Sequence, residues 1–139
     1  MGSATFKILP DNKLIIEKYS GTFLISEYER MKNDEFEHPD FNPDYDVLAD
    51  LREGYFESID VAPDKTVISV TDFLKSNKVN IGKRRCAFLA INPDQVVSSI
   101  FYENFIKGLP IVSKSFSTVL AALDWLAIQK KEEILLYLK

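Results

Sequence analysis

Six consecutive apolar residues, Cys86-Ala87-Phe88-Leu89-Ala90-Ile91, constrain this chain more than any other feature. A strand with water on one face alternates apolar with polar residues, whereas a strand covered on both faces does not. The unbroken run therefore predicts a strand inside a parallel sheet, with helices above and below it. The 139 residues suffice for one such domain with a real core. Ten Phe, six Tyr and one Trp argue against disorder.

The other elements fall in place around that strand. Two apolar-rich stretches, Thr5 to Leu9 and Leu14 to Tyr19, flank Pro10-Asp11-Asn12-Lys13. Pro presets φ and Asp and Asn tolerate unusual backbone angles, so this reads as a β-hairpin. Gly21 is expected to break its second strand. Ser26 and Glu29 have capping-box spacing and predict a first helix, with Tyr28, Met31 and Lys32 at helical spacing and the acids expected on the other face. Pro39 and Pro43 stop that helix. Tyr45 to Leu51 holds a short strand ending at Asp50, and a long connection is expected from Arg52 to Ala62. Pro63 suits a helix start, with Val67, Val70, Thr71 and Leu74 on one face. A third helix is expected from Asn92 to Gly108, with Val96, Val97, Ile100, Phe101 and Phe105 on its inner face. Ile111-Val112 is a last short strand. Ser117 is expected to cap a fourth helix carrying Leu120, Leu123, Leu126 and Ala127, and Lys131 to Lys139 continues it or folds separately.

The predicted order is thus β-β-α-β-α-β-α-β-α. Strands alternating with helices imply right-handed crossovers, so the fold class is α/β, a mixed but mostly parallel sheet of about five strands covered by helices. The hairpin forces one strand to run against the rest. Residues 1–139 form one domain, without repeat or linker.

This pattern resembles the STAS-like fold (sulfate transporter and anti-sigma factor antagonist), in particular small bacterial SpoIIAA-like proteins. The resemblance rests on the strand–Gly21–helix opening and on His38-Pro39-Asp40-Phe41 ahead of Tyr45-Asp46-Val47-Leu48-Ala49-Asp50-Leu51-Arg52. It rests also on Lys83-Arg84-Arg85-Cys86-Ala87-Phe88-Leu89-Ala90 and on Phe116 leading to Ala121-Ala122-Leu123-Asp124-Trp125-Leu126. None of these is a catalytic motif, so the likeness speaks for fold before activity. It implies a non-enzymatic regulatory or protein-interaction module. Anti-sigma antagonists carry a phosphorylated serine in an Asp-Ser-Ser-Gly-like motif at the second helix. Phe56-Glu57-Ser58-Ile59-Asp60 stands nearest here, with Ser58 as the phosphosite and Glu57 for the Asp. The Ser-Gly that follows in the family is missing, and an ordinary loop serine is the other reading.

Charge is unevenly spread. From Glu27 to Asp60 there are 12 acidic and 3 basic residues, a net −9, while the remainder carries 9 acids and 14 bases, a net +5. The acidic stretch is either a solubilising surface or a docking face for a basic protein partner. Nucleic acid is disfavoured, because the one tight basic cluster is Lys83-Arg84-Arg85.

Catalytic chemistry finds little support. His38 precedes a proline in an acidic loop, and Cys86 lies mid-strand among apolar neighbours, where a thiol stays protonated. No nucleophile elbow, Walker loop or dinucleotide fingerprint occurs, and no metal or other cofactor is expected. Asp50 and Lys114 sit where a response-regulator receiver has its phosphorylation Asp and Lys, but the acidic pair of a receiver is absent at Tyr19-Ser20-Gly21.

A crevice beyond the carboxyl ends of the strands is the alternative site. It would gather Asp50, Arg52, Tyr55, Phe56, Asn92, Lys114 and Phe116, as a partner surface or as a pocket for a small molecule or lipid. Ile134, Leu135, Leu136, Tyr137 and Leu138 are too many apolar groups for one face of a short helix, so some pack on the body or on a second copy in a homodimer. No apolar run reaches the roughly 20 residues of a membrane span. The start Met1-Gly2-Ser3-Ala4-Thr5-Phe6 fits neither a secretory signal nor a myristoylation site. A cytoplasmic location is expected, in keeping with a single cysteine.

Overall fold

The computed structural model describes residues 2–23, 25–56, 63–93, 95–96, 106 and 108–138. Strand β1 (Ser3–Leu9) turns through a 3-10 segment, Pro10–Asn12, into β2 (Leu14–Phe23). Lys13 closes the turn in the left-handed region, φ 51°, with its N–H on the Pro10 carbonyl at 3.1 Å. Helix α1 (Ile25–Glu37), β3 (Asp46–Phe56), α2 (Pro63–Ser76), β4 (Arg84–Leu89) and β5 (Ile111–Phe116) follow. Two short helices, α3 (Val119–Trp125) and α4 (Glu132–Tyr137), complete the described elements.

The five strands lie in chain order, β1 antiparallel to β2 and all later pairs parallel. Alternating residues feed two cores. Ile15, Val47, Ala49 and Cys86 meet Tyr28 and Met31 of α1 and Val70 and Leu74 of α2 on one face. Leu14, Ile16, Leu48, Ala87 and Leu89 meet Ala122, Leu123, Leu126, Ile134 and Leu138 on the other. Each central strand is therefore buried on both sides, as the apolar run at Cys86 predicts, but β4 spans Arg84–Leu89, so Ala90 and Ile91 fall beyond it and Ile91 is exposed.

Several boundaries differ from the sequence reading. Gly21 does not end β2, which runs on to Phe23; with φ +65° it bends the strand opposite Gly54 while pairing continues. Strand β3 does not stop at Asp50 but reaches Phe56, so the start of the expected long connection is strand. Leu120 is exposed, because α3 ends at Trp125 and turns only Ala122 and Leu123, with the capping Leu126, to the sheet. The cap of α3 is Thr118, not Ser117: its Oγ1 accepts the Ala121 N–H at 3.2 Å. Of the helix expected after Asn92, residues 93, 95 and 96 are helical, with Val96 exposed where an inner-face position was expected, and most of the rest lies outside the described residues.

The tail is a separate helix because α3 is closed by a Schellman turn. Ala127 adopts φ 59°, Ala127 N–H bonds Asp124 O at 3.1 Å, and Ile128 N–H bonds Leu123 O at 3.0 Å. Arg85 secures the same end, donating to the Trp125 and Leu126 carbonyls at 2.7 and 2.9 Å while Asp46 holds the guanidinium.

Candidate functional site

Beyond Asp50 the sheet narrows. The pairing of β3 with β4 ends at Asp50–Leu89, and β3 continues against β2 alone. The β3 edge so exposed is closed by a side chain. Gln95 donates its amide to the Leu51 and Gly54 carbonyls and accepts the Ile91 N–H at 2.9 Å. It is placed by a reciprocal cap, in which Asn92 Oδ1 accepts the Gln95 N–H at 2.9 Å and Gln95 Oε1 accepts the Asn92 N–H at 3.4 Å.

A bulge lies at the same place. Lys18 pairs with Asp50 but Ser20 pairs with Glu53, so β3 fits one extra residue into the step. Bulges of this kind re-aim side chains at sheet ends. The Arg52 N–H turns to Asp50 Oδ1 at 3.1 Å, and the guanidinium grips both Asp50 oxygens at 2.9 Å. The same Arg52 Nη2 donates to the Leu138 carbonyl at 2.8 Å, and Lys18 donates to the Tyr137 carbonyl at 3.2 Å. Two cations thus hold the carboxyl end of α4, where unpaired carbonyls favour positive charge.

Between hairpin and tail opens a polar cleft of about 260 Å³, lined by Ser3, Thr5, Lys18, Tyr19, Ser20, Asp50, Glu53 and Tyr137. Ser3 and Ser20 share a hydroxyl hydrogen bond of 2.7 Å. The ammoniums of Lys7 and Lys18 stand 5.2 and 5.1 Å from the Tyr137 ring centre.

The residues singled out in the sequence are only partly brought together. Asp50 and Arg52 form one ion pair beneath the tail. Lys114 is exposed on β5, two strands away, with its ammonium over the Phe116 ring at 5.6 Å. Tyr55 and Phe56 lie in the last two backbone positions of β3. Ser58 falls outside the described residues.

The acidic stretch forms a surface along α1 and the following loop. Asp34, Glu37 and Asp40 are exposed and Glu27 and Glu29 half-buried; none enters an ion pair among the described residues. His38 sits in that loop, its Nδ1 accepting the Asp40 N–H at 3.1 Å. Loop and sheet are fastened by the buried Arg84, which donates to the Pro43 and Asn42 carbonyls at 2.9 and 3.2 Å.

Beneath α1 lies a charged cluster the sequence reading did not isolate. Lys32 Nζ donates to Glu17 Oε2 at 2.7 Å and to Glu35 Oε1 at 2.9 Å, and Tyr19 Oη donates to Glu17 Oε1 at 2.6 Å. All four residues are buried. Glu35 Oε2 is enclosed and has no hydrogen-bond partner. Burial pushes the Glu35 carboxyl up, with the nearby Glu17 charge adding to it, to about 8. Burial also raises Glu17, but the Lys32 charge, the proton a neutral Glu35 can offer, and the hydrogen bonds from Lys32 and Tyr19 outweigh it and leave Glu17 below its ordinary 4.5. Burial would lower Lys32, yet the two carboxylates raise it above 10.5. Glu35 thus departs from the expectation that the acids of α1 lie on its other face, although Tyr28, Met31, Lys32 and Glu35 have the i, i+3, i+4, i+7 spacing of one helix face.

Cys86 is buried on the same side, and burial with the Glu17 charge pushes its thiol above the ordinary 9.0, so it stays protonated. Among the described residues no group of three or more His, Cys, Asp or Glu could hold a metal ion. None of the described helices is long and apolar enough to cross a membrane.

No protein-family description matches the chain, and no curated protein matches it. Among solved structures it is similar to an uncharacterised protein of the DUF3478 family from Shewanella loihica PV-4, described as having a SpoIIAA-like fold. The TM-score is 0.60 at 19% identity, over 90% of this chain and 93% of that one. The chain has the SpoIIAA-like fold that its hairpin and strand order resemble.

Proposed function

We propose that this protein is a non-enzymatic interaction module whose acidic α1 surface docks against a basic face of a protein partner in the reducing cytoplasm. One observation carries the reading. The exposed acids of α1 and its loop, Asp34, Glu37 and Asp40, enter no ion pair among the described residues, while Lys18, Lys32, Arg52, Arg84 and Arg85 are spent on partners within the fold. An uncompensated field of one sign speeds encounter with a surface of the opposite sign. The SpoIIAA-like fold and the inert setting of Cys86 support it further.

The test is native mass spectrometry of the protein isolated from its own host, beside the variant Glu27→Lys/Asp34→Lys/Glu37→Lys. A stoichiometric protein complex that weakens with salt and is lost in the variant is expected. Recovery of the protein alone, or with a small molecule in place of a protein, overturns the reading. The same spectra report subunit number and any phosphate on Ser58.

The cleft favours a second reading, a small-molecule site. Its volume lies under the roughly 300 Å³ at which pockets for drug-sized ligands begin, and its lining of hydroxyls, one lysine and carboxylates suits a compact polar molecule better than an acyl chain. A metabolite retained by the wild type and released by Lys18→Met would establish it. Equal retention by both would remove it.

A further inference from the structure

Two carboxylates, one ammonium and one phenol are enclosed together under α1, and their charges do not balance. With both glutamates ionised, the hydrogen-bonded trio Glu17, Lys32 and Glu35 would carry one net negative charge away from water, and the further buried cation, Arg84, gives its hydrogen bonds to the Pro43 and Asn42 carbonyls and none to these carboxylates. The donors fall short by the same amount. Lys32 serves one oxygen of each carboxyl and Tyr19 serves the second oxygen of Glu17, which leaves Glu35 Oε2 with nothing. The third ammonium hydrogen has the Phe36 ring, 5.6 Å away, in place of an oxygen. An ionised oxygen buried without a donor is among the costliest arrangements in a protein. One added proton removes both faults: it cancels the surplus charge and makes a carboxyl a donor.

We propose that α1 seats on the sheet by taking up one proton, held at Glu35 against Glu17, so that the grip of the helix loosens as the pH rises. Lys32 Nζ bridges the two carboxyls, at 2.7 Å from Glu17 and 2.9 Å from Glu35, and so brings both to one ammonium. The other titratable or charged groups facing the site are Tyr28 on α1 and Arg84 and Cys86 on β4, with Tyr19 on β2. The two phenols are raised well above 10 by burial and the Glu17 charge, so they and the thiol stay neutral through the relevant range. The residues of β1, β3 and α2 in the same buried cluster include Ala4, Phe6, Ile8, Val47, Ala49, Leu51, Phe73 and Leu74, and the buried polar residue of α2, Thr71, carries no charge. That leaves Glu35 to titrate. Its carboxyl would ionise near its ordinary value once α1 lifts, and only near 8 while α1 is seated. The opening equilibrium of α1 therefore rises between those values and is level above them. This holds whatever α1 binds.

Carbon-13 NMR of the glutamate carboxyls in the wild-type protein reads the proton directly. One carboxyl titrating between pH 7 and 9 is expected; all glutamates titrating below pH 6 overturns the proposal. Amide exchange along α1, corrected for intrinsic rate, supplies the second readout. Opening should increase about tenfold per pH unit between pH 5.5 and 7.5, the slope of one proton. In Glu35→Gln, whose amide copies the protonated acid, it should be flat. The same slope in wild type and variant, or none in the wild type, overturns the proposal, and the carboxyl titration stands even if the variant fails to fold.

Discussion

The ammonium of Lys32 crosses from α1 to the Glu17 carboxylate on β2, 2.7 Å away, and neither side chain is more than 5% exposed. A buried ion pair is a weak source of net stability, because desolvation offsets the attraction, but breaking one leaves a bare charge inside. Lys32→Met keeps the length of the side chain and removes the cation from both carboxyls. Unfolding free energy should fall by about 3–5 kcal/mol in urea titrations. A loss under about 1 kcal/mol would mean that water reaches the site.

Stability should also depend on pH in a definite direction. Glu35 lies above its ordinary value in the folded protein, so its contribution is complete below pH 4.5 and is lost as pH rises towards about 8. Glu17 lies below its ordinary value, so its contribution is present above pH 4.5 and is lost as pH falls. A maximum near pH 5 follows, with a decline of up to about 1.4 kcal/mol per pH unit on its alkaline side. Urea midpoints at pH 4, 5, 6 and 7.5 check it, and a midpoint still climbing at pH 7.5 contradicts it.

Ala127 closes α3 in the left-handed region, where a side chain costs about 1–2 kcal/mol. Glycine there relieves that cost and gives back part of it through a freer unfolded chain. Ala127→Gly should raise stability by about 0.5–1 kcal/mol, read as an increase in melting temperature of a few degrees. Any decrease would show that the methyl group makes a contact of value.

Gln95 serves the β3 edge as an absent strand would. Gln95→Ala leaves the Leu51 and Gly54 carbonyls and the Ile91 N–H without their partner. A loss of about 1–3 kcal/mol is expected, with faster amide exchange at Ile91 and Asn92 than elsewhere in the sheet. Unchanged exchange there would show that water replaces the side chain without cost.

Much of the fold was legible because it is written in local patterns. The Pro10-Asp11-Asn12-Lys13 turn, the run at Cys86 and the helix face from Tyr28 each state their structure within a few residues. What escaped notice depends on pairs far apart in the chain. The length of β3 depends on a bulge against β2 and on Gln95, some forty residues later. Asp50 and Arg52 were singled out for the site, but their pairing and the cover of the tail depend on Leu138. Lys32 was visible on an inner face, while its reason, Glu17, lies on another element. Glu17 carries no local mark of burial, because its neighbour Lys18 is charged too.

That neighbouring pair has a consequence for how the chain finds its alignment. Leu14, Ile15 and Ile16 are all fully buried, so greasiness alone does not tell β2 which way up to lie. A slip by one residue would turn every side chain over at little apolar cost. It would also push Lys18 towards the tyrosine-rich core under α1 and set Glu17 against the carbonyls that end the chain's last helix. Both meetings are unfavourable, and in the native alignment both are reversed into hydrogen bonds. Glu17 and Lys18 therefore act together as a key that fits the strand in one setting only.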